Sequence, residues 1–212
     1  MCKYEITAEQ LDALRNTVAG NISAARFEHT LGVERAAAGI SRVLCPEKLT
    51  LLCGAALLHD ITKEYSFEKQ LKICNEFGII LRSDEKNSPQ ILHAITAAAV
   101  IPSEYPDFAC PELISAVRWH TTGRADMTLA DKIIFLADYI EDGRRYESCR
   151  DLRESFWCGL TSAHDDKSRL NCLDTAVLAE LRGTIRSLGE RGLAVNADTL
   201  RAADYITNQL KS

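Results

Sequence analysis

Short apolar runs recur at three- and four-residue spacing along this chain, and polar caps and helix breakers punctuate them. That is the pattern of successive amphipathic helices. Thr7 with Gln10 forms a capping-box signature and predicts a helix to about Gly20. Ser23 caps the next, which sets Arg26, His29, Val33 and Ala36 on related turns. Pro46 suits the first turn of a third helix, whose run Leu51-Leu52-Cys53-Gly54-Ala55-Ala56-Leu57-Leu58 leads into His59-Asp60. Ser66 opens a helix ending near Gly78, Ser88-Pro89 one containing His93, and Pro111 one ending at Trp119-His120. Thr128 with Asp131 is a second capping box, ahead of the run from Ile133 to Asp138.

Beyond Arg145 the pattern predicts a long helix over about Leu173 to Leu188 and a last one from an Asn196 cap to about Leu210. Between them, Gly159 to Arg169 is polar and reads as a loop. Ile79-Ile80-Leu81 is the only strand candidate, and it is short. The expected fold class is all-α. A single domain is expected over 1–212, with a core of about 5–153 and C-terminal helices of about 171–212 packed onto it.

Composition narrows the function. No apolar run approaches the roughly 20 residues of a membrane-spanning helix. The segment Met1-Cys2-Lys3-Tyr4-Glu5 lacks the apolar stretch of a secretion signal. A net charge of -5 argues against a protein that coats nucleic acid. It leaves room for an anionic small substrate, because a few local Arg and Lys can dominate a cleft. The cysteines at 2, 45, 53, 74, 110, 149, 158 and 172 form no C-x-x-C pair and no zinc-finger spacing, so reduced thiols in a cytoplasmic protein are expected.

The candidate chemistry lies with the histidines. A buried imidazole and carboxylate at the end of an oily helix, as His59-Asp60 would be, are costly unless they bond to each other, to backbone or to a cation. His29, His93, His120 and Asp138 sit singly in similar helical, apolar settings, whereas His164 lies in a polar stretch. Any one of them alone reads as a hydrogen-bonded core or surface residue; the set reads as a metal site. Imidazole and carboxylate without thiolate suit a divalent ion such as iron, manganese, nickel or zinc. His29, His59, Asp60 and Asp138 make one coordination set. His93 and His120 could complete a second ion's site with Asp60 as the bridge, or face the substrate.

Cations accompany most of these residues. Arg26 shares a helix face with His29, Lys63 lies four residues after His59, Arg124 follows His120 across Gly123, and Arg144 and Arg145 follow Asp138. Solvated surface charge is the default reading of each. Their recurrence favours a polyphosphate site, where Arg offers forked hydrogen bonds and Lys a point charge. Asp131 reads as a helix cap, Cys53 as core, and Trp119 and Trp157 as packing residues, with Trp119 placed to line a base pocket.

The order His29, His59-Asp60, Asp138 resembles the HD-domain superfamily of metal-dependent phosphohydrolases. More narrowly, Leu57-Leu58-His59-Asp60-Ile61-Thr62-Lys63, His120-Thr121-Thr122-Gly123-Arg124 and Ala137-Asp138-Tyr139-Ile140-Glu141 resemble the YqeK family. Its members are bacterial enzymes that split diadenosine tetraphosphate symmetrically into two ADP. The similarity runs from about Glu5 to Arg153 and resumes weakly from Leu173. It implies an HD-domain helical fold, metal ligation by His29, His59, Asp60 and Asp138, and iron as the ion. It implies nucleotide contacts from Arg26, the stretch Asp60, Ile61, Thr62 and Lys63, His93, His120 and Arg144, with Arg124 added from its place beside His120. Asp60, Lys63, His93 and His120 are the candidate catalytic residues.

The segment Gly159 to Arg169 looks like an insertion relative to that family, and Asp142-Gly143 stands where a proline-containing turn is expected. The expected partners are a dinucleoside polyphosphate substrate and an ADP product, with no nucleic acid and no membrane; a homodimer is an admissible assembly. The rival readings are another HD-type phosphohydrolase, acting on nucleoside monophosphates, deoxynucleoside triphosphates or guanosine tetraphosphate, and a non-catalytic nucleotide sensor. A cyclic-dinucleotide phosphodiesterase fits less well, because no Gly-Tyr-Pro motif accompanies the HD pair.

Overall fold

The computed structural model describes residues 6–211, so Met1 to Glu5, with Cys2 and the Glu5 edge of the expected core, lie outside it. Eleven α-helices follow one another among the described residues, with no strand. The first four are α1 (Ala8–Asn21), α2 (Ala24–Leu44), α3 (Leu49–Leu58) and α4 (Phe67–Glu76). Next come the one-turn α5 (Ser83–Lys86), α6 (Leu92–Glu104), α7 (Pro111–Trp119) and α8 (Leu129–Ile140). The C-terminal part holds α9 (Glu147–Ser162), α10 (Asp166–Glu190) and α11 (Ala197–Gln209).

Side chains set these starts as the sequence predicts. Thr7 with Gln10 and Thr128 with Asp131 close reciprocal capping boxes, and Ser23, Ser66 and Asn196 each accept a backbone N–H at their helix start. The helix expected from Pro46 begins as a 3-10 turn over Pro46–Lys48 and becomes α-helical only at Leu49. The same happens at Pro89, where a 3-10 turn precedes α6.

Helix α3 sits at the centre. Every residue from Leu51 to Leu58 is buried, and a helix apolar on all sides needs neighbours on all sides. Helices α1, α2, α7 and α8 supply them. Leu52, Leu57 and Leu58 are 0% exposed, and each such burial contributes about 1.5–3 kcal/mol. The central helix is thereby fixed, and with it the position of His59 at its C-terminal end.

Two expectations require correction. Gly159 to Arg169 is not a loop: α9 continues to Ser162, only Ala163, His164 and Asp165 intervene, and α10 starts at Asp166 rather than near Leu173. Its polar residues are helix ends facing solvent, and Asp165 with Ser168 forms a capping box inside that run. Helix α9 carries no legible period in the sequence because it buries only Cys149, Phe156 and Leu160, a sparse stripe. Ile79-Ile80-Leu81 forms no strand, and Ile80 is 93% exposed.

Candidate metal centre

His59 closes α3, where the last carbonyls have no intrahelical partner. Its Nδ1 lies 2.6 Å from the Ala56 carbonyl oxygen. That oxygen can only accept, so the proton sits on Nδ1 and the Nε2 lone pair is directed into the protein. His120 repeats the arrangement at the end of α7, with Nδ1 2.7 Å from the Val117 carbonyl oxygen.

Asp60 follows His59 into a series of turns, in which Lys63 N–H donates to the Asp60 carbonyl at 2.9 Å. Lys63 therefore arrives by a turn, not on a continuing helix. The Asp60 carboxylate faces two ways. Oδ2 accepts from Arg26 Nη1 at 2.9 Å and lies 3.5 Å from His59 Nε2 and 3.8 Å from His29 Nε2. Oδ1 lies 3.2 Å from His93 Nε2, 3.6 Å from His120 Nε2 and 4.0 Å from Lys63 Nζ.

The other wall comes from α2 and α8. His29 Nε2 is 3.0 Å from Asp138 Oδ1, and His29 Nδ1 is 3.2 Å from Glu141 Oε1. Arg144 donates from Nη2 to Asp138 Oδ1 at 2.6 Å and from Nε to the Asp138 carbonyl at 3.0 Å. Arg153 on α9 holds the backbone that presents these groups, donating to the carbonyls of Ile140, Glu141 and Arg144. The helix that the sequence concealed thus supports the site loop.

On the α6 side, Lys63 Nζ is 3.0 Å from His93 Nε2, which is also 3.1 Å from both His120 Nε2 and Thr121 Oγ1. Thr62 donates its hydroxyl to the His93 carbonyl at 2.9 Å, tying the loop to α6.

Burial and charge set the protonation states. Burial opposes ionisation of Asp60, but His59, His120 and His93 outweigh it and hold the carboxyl well below its usual range. Burial likewise opposes Asp138, and His29 and Arg144 hold it well down. Burial pushes His93 far down, with His120 adding to it, and lowers His120 and Lys63 as well. Burial would lower His59 too, but Asp60 lifts it. The centre is anionic at its two carboxylates and neutral at two of its inner imidazoles.

The donor set fits a divalent cation. His29 Nε2, His59 Nε2 and Asp60 Oδ1 are buried without a well-aligned hydrogen bond, although ionisable neighbours lie 3.0–3.5 Å away, a costly state for polar atoms. Two triads, His29/His59/Asp138 and His59/Asp60/His120, each place their ligand atoms within 4.8 Å of one another, and His59 is common to both. Beside them opens a cleft of about 660 Å³, lined by Arg26, His29, Glu64, Arg144, Arg145 and Tyr146 among others.

The structure brings Arg26, His29, His59, Asp60, Lys63, His93, His120, Asp138 and Arg144 together. It sends Arg124 elsewhere: its guanidinium pairs with Asp131 at 3.1 Å, the residue that caps α8. Ile61 packs in the main core, and the Thr62 hydroxyl is spent on α6, so neither side chain lines the cleft. Trp119 stacks under Arg118, with the guanidinium carbon 4.1 Å from the ring centroid, on a separate groove between α6 and α7. His164 is exposed and Cys53 is buried, as expected. Glu141, Thr121 and Arg153 join the centre from outside the expected set. The first two lie inside the quoted motifs, and three-residue spacing from Asp138 was the signal available for Glu141.

The model of the HD domain family matches residues 26–143 of the chain. A protein of Halalkalibacterium halodurans named as a symmetrical bis(5'-nucleosyl)-tetraphosphatase is 30% identical, over 88% of this chain and 91% of its own. A Staphylococcus aureus protein of the same name is 33% identical, over 85% of this chain and 86% of its own. Among solved structures, a "predicted HD superfamily hydrolase involved in NAD metabolism" from Clostridium acetobutylicum superposes with a TM-score of 0.80 at 26% identity, covering 93% of this chain and 97% of its own.

Proposed function

The chain belongs to the HD domain family, and on that footing we propose that it hydrolyses diadenosine tetraphosphate symmetrically to two ADP. The observation that supports this most directly is the pair of His/Asp triads sharing His59, ringed by Arg26, Lys63 and Arg144 and opening on a cleft. The relatives named for that reaction support the choice of substrate.

His29, His59, Asp60 and Asp138 would hold one divalent ion, and His120, with His93 beside it, would extend the set to a second. Iron is the ion we assign, with manganese, nickel and zinc compatible with the donors. When bound, such an ion polarises a phosphoryl oxygen and favours ionisation of water.

The chain's own residues do the rest. Asp60 holds Arg26 through one oxygen and turns the other to His93 and His120, so one carboxylate organises both halves of the centre. Arg26, Arg144 and Lys63 present positive charge where the polyphosphate would lie. Attack of water on a central phosphorus breaks the bridging P–O bond and expels ADP, whose charge resides on phosphate oxygens. That leaving group needs neutralisation more than protonation, which guanidinium and ammonium groups provide. Cys45, Cys53, Cys74, Cys149, Cys158 and Cys172 keep free thiols, which suits work in the reducing cytoplasm.

The test is a product assay on the purified protein, with metal content measured by elemental analysis. ADP alone from diadenosine tetraphosphate supports the reading. Equal AMP and ATP would show asymmetric cleavage and refute it. Hydrolysis of a nucleoside monophosphate with none of the tetraphosphate would point to the rival phosphohydrolase.

A further inference from the structure

The three histidines of the two triads differ in what accepts their Nδ1 proton. His59 and His120 sit at helix C-termini and use backbone carbonyls three residues earlier, which the helix leaves free. His29 lies inside α2, where the carbonyls on its own turn are engaged in the helix ladder. Its acceptor must come from another element. Glu141, the first residue past α8, supplies it: Oε1 lies 3.2 Å from His29 Nδ1, and Oε2 accepts from Gly143 N–H at 2.6 Å. The Glu141 side chain is 4% exposed.

Room for that carboxylate is built in. A Cβ at Gly32, one turn beyond His29 on α2, would lie 2.3 Å from Glu141 Oε2, and one at Gly143 would lie 2.9 Å from it. Glycine is a poor helix former, yet it stands in the middle of α2 where the Glu141 carboxylate lands. The loop that the family resemblance expects to hold proline carries Gly143 instead, whose N–H is the second fixed bond of that carboxylate.

We propose that Glu141 is a positioning residue for His29: it fixes the Nδ1–H tautomer and the ring direction that aim Nε2 at the metal centre, and Gly32 and Gly143 exist to admit it. The inference rests on the metal-site part of the functional reading and not on the substrate, so it is tested by metal binding alone.

The experiment uses Zn²⁺, which is diamagnetic, on the full chain. Affinity is measured by competition with a chromophoric chelator, and long-range ¹H–¹⁵N spectra of the zinc-loaded protein report which ring nitrogen carries the proton. Glu141→Ala is expected to weaken Zn²⁺ binding by about 10- to 100-fold and to remove the His29 Nδ1–H signal, while those of His59 and His120 persist. Glu141→Gln keeps one acceptor oxygen but cannot serve both His29 and Gly143, and it should fall between. Gly32→Ala leaves Glu141 in place but pushes its carboxylate aside, and it should reproduce the loss.

Wild-type affinity in Glu141→Ala and Gly32→Ala overturns the proposal. So does joint loss of all three Nδ1–H signals, which would mark a merely structural residue. If Glu141→Ala does not fold, Gly32→Ala and Glu141→Gln decide. A wild-type chain that takes up no Zn²⁺ overturns the metal site itself, whereas zinc binding without tetraphosphate hydrolysis overturns only the substrate reading.

Discussion

His59 and His120 face each other nearly at right angles, ring centroids 4.9 Å apart and planes at 88°, each locked by a carbonyl of its own helix. Two helix ends, from α3 and α7, therefore converge on one point with both Nε2 atoms exposed to it. His59 belongs to both triads, whereas His29 and His120 belong to one each.

That asymmetry makes the first prediction. His59→Ala should abolish bound metal and hydrolysis together, beyond the roughly 10- to 100-fold typical of losing a partner that only supports a ligand. His29→Ala and His120→Ala should each lower metal stoichiometry less. Elemental analysis of the three variants checks this, and a His59→Ala protein with full metal content and turnover would sink the assignment.

Arg144 tests the phosphate role. Guanidinium cannot ligate a cation, but Arg144 holds Asp138 through both its carboxylate and its carbonyl. Arg144→Ala should lower kcat/KM by roughly 10- to 150-fold, the equivalent of one charge-assisted hydrogen bond of about 1.5–3 kcal/mol. Metal affinity should also fall, by a smaller factor, because Asp138 loses its brace. Steady-state kinetics with metal saturating separate the two effects. Wild-type kinetics under that condition would make Arg144 a brace and nothing more.

Arg153 should matter for stability although it lies outside the cleft. Its three bonds to the carbonyls of Ile140, Glu141 and Arg144 join α9 to the loop past α8. Arg153→Met keeps much of the stem and loses the donors. The cost should be about 1.5–3 kcal/mol, which for a chain of this size lowers Tm by about 2–4 °C per kcal/mol. Thermal melts read this directly, and an unchanged Tm would mean the loop holds itself.

These residues show where sequence legibility ended. His59, Asp60, Arg26 and Lys63 were readable because each follows from local rules: an apolar run that ends in charge, or a cation one turn from a ligand. Most helix starts were readable because caps are short-range chemistry. Arg124 misled because adjacency to His120 says nothing of direction, and the turn at Gly123, with φ +62°, delivers the side chain to Asp131 instead. Glu141 and Arg153 act across distances of 112 and 9–13 residues in sequence. No local pattern encodes such partners. Besides its spacing from Asp138, Glu141 leaves a trace at Gly32, which acquires meaning only when α8 is packed against α2.

The last prediction concerns Glu180, a buried acid on α10 whose Oε2 has no hydrogen-bond partner. Burial pushes its carboxyl well above the usual range, and the Asp138 charge adds to this while Arg144 opposes it. In the unfolded chain a glutamate titrates near about 4.3. A carboxyl raised on folding keeps its proton in the native state, so its burial does no harm below the unfolded value. Stability is then lost as pH rises from there through the raised value, because the unfolded chain releases a proton that the folded one retains. Glu180→Gln removes that titration and keeps the shape. Wild type and variant should melt together near pH 4, and the variant should melt higher at pH 7, by about 2–4 °C for each kcal/mol recovered. Paired thermal melts at the two pH values measure this. A Tm difference that is the same at both would show that Glu180 is already ionised and satisfied in the folded protein, and its assigned protonation would be wrong.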